Sequence, residues 1–182
     1  ESGRTLLFVV SNDQLAQRAA EDLSALLGGG VALLPARETS FQRMAAASQD
    51  LAARRIEALG AFLLGELRAL VAPVDALLYR LAPRAVFEKS IVTLAPGERE
   101  DPEALIERLI GIGYERVDVV ESRGQCALRG GILDVYPVGQ VNALRIEFFD
   151  DEIDSLREFD IMTQRSTRRI ESAQIFPASE VL

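Results

Sequence analysis

The chain has 182 residues, enough for one or two domains, and its 48% hydrophobic and 26% charged content is that of a globular chain able to bury a core, which excludes wholesale disorder. A formal charge of −8 sets up an average field that repels phosphate backbones, so nucleic acid is not the favoured partner. With no histidine and a single cysteine, Cys126, there is no internal disulfide, no ordinary zinc ligand set and no Ser-His or Cys-His nucleophile pair; no catalytic residue and no metal site is assigned.

The longest apolar stretches, Thr5 to Val10 and Phe62 to Leu64, fall far short of a membrane span, and no signal-like segment opens the chain; a cytoplasmic protein without a membrane partner is expected. The sequence starts at Glu1 rather than Met and enters a strand almost at once, which reads as a fragment of a longer protein.

The first half alternates strand and helix. Thr5 to Val10 is uniformly apolar, as in a buried parallel strand. Ser11, Asn12 or Asp13 can cap the following helix, on which Leu15, Ala19, Leu23, Leu26 and Leu27 recur at helical spacing before Gly28-Gly29-Gly30 ends it. Val31 to Leu34 reads as a second strand, and a helix from about Gln49 carries Leu51, Ile56, Leu59 and Leu63 on one stripe. Arg68 to Ala72 is the third strand. Pro73 then suits a first helical turn, with Val74, Leu77, Leu78 and Leu81 directed inward until Pro83. The pattern is that of a parallel α/β layer.

The second half has another character, and a domain boundary is placed near Val86 to Lys89. After a strand at Ser90 to Leu94 comes one main helix, capped by Asp101 with Pro102 behind it, striped by Leu105, Ile106, Leu109 and Ile110, and ended by Gly111 and Gly113. Beyond Tyr114 the pattern is all strand: Arg116 to Val120, Gln125 to Tyr136, Ala143 to Phe149, Ile153 to Phe159 and Arg168 to Phe176. Their hairpin spacing predicts antiparallel pairing.

Several candidate sites have ordinary readings. Gly28-Gly29-Gly30 follows a helix instead of opening one, and no GxxxxGK[ST] motif occurs, so no ATP site is expected in this chain. Asp150, Asp151, Glu152 and Asp154 lack the spacing of a calcium loop and read as a solvated hairpin turn. Gly130-Gly131 reads as a bulge or bend within one long strand. Cys126 reads as a small apolar packing residue.

The strand Leu144 to Phe149 is more informative. A side-chain period of two puts Leu144, Ile146 and Phe148 on one face and Arg145, Glu147 and Phe149 on the other. If the aliphatic face is buried, Phe149 either packs against another element or stands in or near solvent beside two charges, a combination that interfaces favour. Arg129, opposite in direction to Cys126 and Leu128, is either solvated or a partner for Glu147, and Arg145 carries the same ambiguity.

Arg129-Gly130 with ILDVYP, then RIEFFDDEID, then FD with Thr163-Gln164-Arg165-Ser166, resemble the module shared by bacterial transcription-repair coupling factors and the excision-repair helicase UvrB, through which both contact UvrA. FFDDEIDSLR followed by TQRS is similar to the coupling factors, since UvrB typically has Gly after the two Phe and no TQR element. Weaker likeness extends through GYERVDVV (Gly113 to Val120), APVDALLYRLAP (Ala72 to Pro83) and LPARETSFQR (Leu34 to Arg43), where Ser40 and Phe41 replace the family's frequent Pro-Tyr-Asp.

The resemblance implies a fold of α/β and α+β parts: residues 1–87 as part of a degenerate helicase-like parallel α/β domain, 88–175 as an inserted α+β UvrA-binding domain with an antiparallel sheet and one main helix, and 176–182 as the start of the return to the first domain. It implies that UvrA contacts fall on Arg129, Arg145 and Phe149, the arginines meeting carboxylates and the ring serving as anchor. Phe149→Ala or Arg145→Glu is then expected to abolish UvrA binding with little loss of melting temperature. The implied function is recruitment of UvrA, linking stalled RNA polymerase to nucleotide excision repair; the alternative is a piece of a UvrB-type helicase that handles damaged DNA. The family's motor, with its ATP and Mg²⁺, and its contacts to RNA polymerase and double-stranded DNA lie outside these residues, so no cofactor is expected here.

Overall fold

The structure is a computed structural model that describes residues 4–37 and 45–180, with side chains in the second stretch from residue 50 onward. The Glu38 to Arg43 portion of the Leu34–Arg43 likeness, and the side chain of Gln49, lie outside the described residues. The chain divides into two compact units, Glu1–Arg84 and Ala85–Leu182.

The first unit is a three-stranded parallel sheet in the order β1-β3-β2, formed by Leu6–Val10, Val31–Leu33 and Ala69–Pro73 (β1, β2, β3), with helices Asp13–Leu27 (α1) and Ala45–Leu63 (α2). Asn12, one of three possible caps, starts α1 by accepting from the Leu15 amide at 2.9 Å, and Gly28 ends it at φ +71°. The central strand β3 is wholly buried. Strand β1 is not: Leu6, Leu7, Phe8 and Val9, alternating between its two faces, are exposed, whereas its uniform apolarity predicts a buried strand; it is an edge strand that pairs only with β3 among the described residues, with neither face fully covered. Leu15 and Leu26 of the α1 stripe are likewise exposed. Pro73 ends β3 and precedes a 3-10 turn, Val74–Leu77; Val74, Leu77, Leu78 and Leu81, expected to point inward, are exposed, and only Ala76 of that segment is buried.

A short helix, Arg84–Lys89 (α3), spans the division between units. The second unit is built on a six-stranded sheet in the order β10-β9-β8-β7-β6-β5, comprising Glu115–Arg116 (β5), Gln125–Arg129 (β6), Ile132–Val135 (β7), Ala143–Phe149 (β8), Glu152–Asp160 (β9) and Arg165–Ile170 (β10). A two-stranded ribbon pairs Val92–Leu94 (β4) with Ala173–Ile175 (β11). The helix Pro102–Gly111 (α4) begins where expected: the Asp101 carboxylate accepts from the Glu103 and Ala104 amides at 2.8 and 3.2 Å.

Leu105, Ile106 and Leu109 of α4 pack with Val92, Leu94, Cys126, Leu133, Val135, Leu144, Ile146, Ile153, Leu156 and Ile175 in one apolar core. Ile110, expected in that stripe, is exposed.

Three strand expectations change. Gln125 to Tyr136 is two strands, because Gly130-Gly131 reverses the chain as a two-residue hairpin turn, Gly130 at φ +59° supplying the positive first dihedral of a type II′ turn. Strand β5 is only two residues long and pairs with β6 in parallel. Arg168 to Phe176 splits into β10 and β11, which belong to different sheets. Phe176 and Ala178 are still held by the second unit: the Tyr114 hydroxyl donates to the Phe176 carbonyl at 2.8 Å and the Ala178 amide to the Ile112 carbonyl at 2.9 Å.

Candidate docking site

Strand β8 carries Leu144, Ile146 and Phe148 toward the core and Arg145, Glu147 and Phe149 toward the opposite face. That second face is bare only in part. Val120, Ala127, Ala143 and Phe159 form a small cluster over one end of it, with Val117, Tyr136 and Ile161 against them. The far end, where β8 meets its hairpin turn at Asp150-Asp151, is open, and there Phe149 is 80% exposed. A ring left so far from any packing contributes almost nothing to folding, as do the equally exposed Leu26, Val141 and Met162; what sets Phe149 apart is its place on a sheet face beside charged side chains.

The two arginines differ from their expected roles. Arg145 has a side chain only 13% exposed, and it donates from Nε and Nη2 to the two carboxylate oxygens of Asp134 at 2.7 and 2.8 Å. It also donates to the Gln164 carbonyl at 3.2 Å, and its guanidinium lies 4.8 Å from the centre of the Phe159 ring. The hydrogen bonds to Asp134 hold this guanidinium still more firmly protonated than usual, against a smaller opposing effect of burial. Arg145 is therefore not extended toward a partner, because its fork is already occupied. Arg129 is less enclosed: its side chain is 49% exposed, and one Nη donates to Asp134 at 2.9 Å.

Asp134 is the residue that sequence reasoning missed. Its carboxylate is 1% exposed and receives both arginines at once. The register explains why: β7 pairs Asp134 with Ala127 on one side and with Arg145 on the other, and the Gly130-Gly131 turn sets Arg129 opposite Ile132, one diagonal step away. The signal was present in ILDV, where an acid stands on the same alternating face as Ile132, but reading it required a hairpin rather than a bulge at the glycines. Glu147, the other partner considered for Arg129, instead accepts from Ser155 and Arg157.

Arg129, Arg145 and Phe149 thus share one face. From strand geometry, Phe149 sits about 13 Å along β8 from Arg145, and Arg129 lies two strands, about 10 Å, across the sheet. The arrangement offers an aromatic knob and one half-free guanidinium, both held by a rigid sheet and a buried ion cluster. No cluster of metal-binding side chains occurs among the described residues, and no helix among them is long and apolar enough to cross a membrane.

The second unit is an α+β domain, and its residues 92–181, nearly its whole length, match the UvrB interaction domain family. Over its whole length the chain is 37% identical to the transcription-repair-coupling factor of Bacillus subtilis (strain 168) and 33% identical to that of Staphylococcus aureus (strain Mu50). The chain spans 16% of the length of these relatives.

Proposed function

We propose that this chain is the UvrA-recruiting part of a transcription-repair coupling factor, acting by protein contact and without chemistry of its own. Phe149 inserts into an apolar socket on UvrA while Arg129 meets a carboxylate at its rim. The observation that carries this reading is the 80% exposed ring of Phe149 on a sheet face whose neighbouring charges are fixed by the buried Asp134. Aromatic anchors flanked by arginine are the usual make-up of a binding hot spot. The similarity to named coupling factors, together with the family match, supports the link to excision repair; stalled RNA polymerase, double-stranded DNA, ATP and Mg²⁺ would be engaged by other parts of such a protein.

The test is affinity for purified UvrA. Phe149→Ala should weaken binding by about 2 kcal/mol or more, roughly thirty-fold, with an unchanged melting temperature. Equal affinity of variant and wild type would remove Phe149 from the site.

A further inference from the structure

The Phe149 face holds more arginine than the docking reading uses. The registers of β8 with β9 and of β9 with β10 set Arg145, Arg157 and Arg169 directly opposite one another, so three guanidinium groups form one cross-strand row. Like charges in such positions destabilise a sheet unless acids intervene. Asp134 takes Arg145 at one end of the row, and Glu147 takes the partly exposed Arg157 at 3.4 Å. Arg169, exposed on the edge strand, has only the Asp154 carbonyl at 3.3 Å and makes no ion pair among the described residues.

The other end of the same face is acidic on balance: Glu152 pairs with Phe149 in the β8–β9 ladder, beside Asp150 and Asp151 of the turn and the exposed Asp154 at the bulge, against the cation of Arg99, whose backbone bridges to Glu152 and whose guanidinium lies 3.6 Å from Asp151. Phe149 stands between an arginine row and an acidic turn. A folded domain gains nothing from an uncompensated guanidinium opposite another, whereas a partner bearing carboxylates over that row does.

We infer that Arg157 and Arg169 form a second contact strip that receives an acidic patch of the same protein partner, and that the polarity of the face, basic row to acidic turn, fixes the partner's orientation about Phe149. This inference rests on the docking reading above. Exposed charges of this kind act mainly on encounter, raising the association rate and its dependence on salt, while a buried anchor acts on the dissociation rate.

The experiment measures association and dissociation of purified UvrA with the full chain between low and physiological salt. Arg169→Gln should slow association about three-fold at low salt, and Arg157→Gln with Arg169→Gln together should weaken binding about ten-fold while flattening the salt dependence. Phe149→Ala should raise the dissociation rate and leave the salt dependence as in wild type. Because Arg169 has no ion pair to lose, Arg169→Gln should keep the wild-type melting temperature, which separates docking from folding. If Phe149→Ala weakens binding but the arginine variants keep both affinity and salt dependence, the strip is not a contact and the docking reading stands alone. Wild-type protein that fails to bind UvrA overturns both. Arginine variants that lose affinity for a labelled DNA duplex while binding UvrA as wild type would assign the strip to nucleic acid and overturn the inference.

Discussion

Asp134 shows how one buried carboxylate organises a surface. It is enclosed, receives three hydrogen bonds from two arginines, and leaves one of them half in water. The two arginines should therefore respond differently to substitution. Arg129→Ala removes a half-exposed partner and should cost no more than about 1 kcal/mol of stability, as surface ion pairs do. Asp134→Ala strands the Arg145 guanidinium without its acceptor and should cost about 3 kcal/mol, read by denaturant titration. Near-equal costs would mean that the ion cluster is not the support described. The same geometry corrects the expectation for Arg145→Glu: a second carboxylate against Asp134 would lower the melting temperature substantially, so lost UvrA binding in that variant would not by itself locate a contact. Phe149→Ala and Arg129→Ala are the informative substitutions.

Among the elements, the β6–β7 hairpin sets the site. Its two-residue turn fixes which residues of β7 face Arg129, and the bridge from β7 to β8 brings Arg145 onto Asp134. Gly131 has a second role: a Cβ there would stand 3.1 Å from the Phe148 carbonyl oxygen, an atom of the neighbouring strand that cannot swing aside, and the Gly131 carbonyl accepts from the Phe148 amide at 2.8 Å. Gly131→Ala should therefore push β7 from β8 next to Phe149, costing roughly 1–3 kcal/mol by the usual penalty of overpacking. Hydrogen exchange at the Phe148 amide, faster in the variant than in wild type, would report the displacement; unchanged exchange would show that the strand accommodates the methyl.

For the molecule as a whole, the one cysteine is a built-in reporter of the second unit. Cys126 lies in the main core on β6, and burial pushes its thiol up to about 11, only partly countered by the charge of Arg116. Neither accessible nor ionised at neutral pH, it should resist thiol reagents until this core opens. The labelling rate with rising denaturant should then follow loss of the six-stranded sheet, and loss of α1 and α2 should not accelerate it if the first unit opens separately. Rapid labelling of the native protein would contradict the packing around β6.

Much of this architecture was legible in the chain itself. The alternation of strand and helix in the first half carried the parallel layer. The ends of α4 followed from Asp101, Pro102 and the glycines at 111 and 113, since caps act within a single turn. The two faces of β8 followed from alternation, which is a property of one strand. Local interactions carry those signals, so a local reading recovers them.

The amino-acid order foretold the parallel and the antiparallel parts, but left open which strand lies beside which and where each one ends. Whether Gly130-Gly131 bends or reverses the chain, which side of β1 lacks a neighbour, where Arg168 to Phe176 divides, and what Arg145 holds are all settled by contacts between strands distant in sequence. An arginine on an outward face reads as free until the acid facing it on the neighbouring strand is known. That Arg145 and Phe149 share a face was visible in the sequence; that Arg145 is enclosed and ion-paired while Arg129 and Phe149 are exposed was decided by the tertiary structure, because burial and ion pairing are properties of neighbours in space.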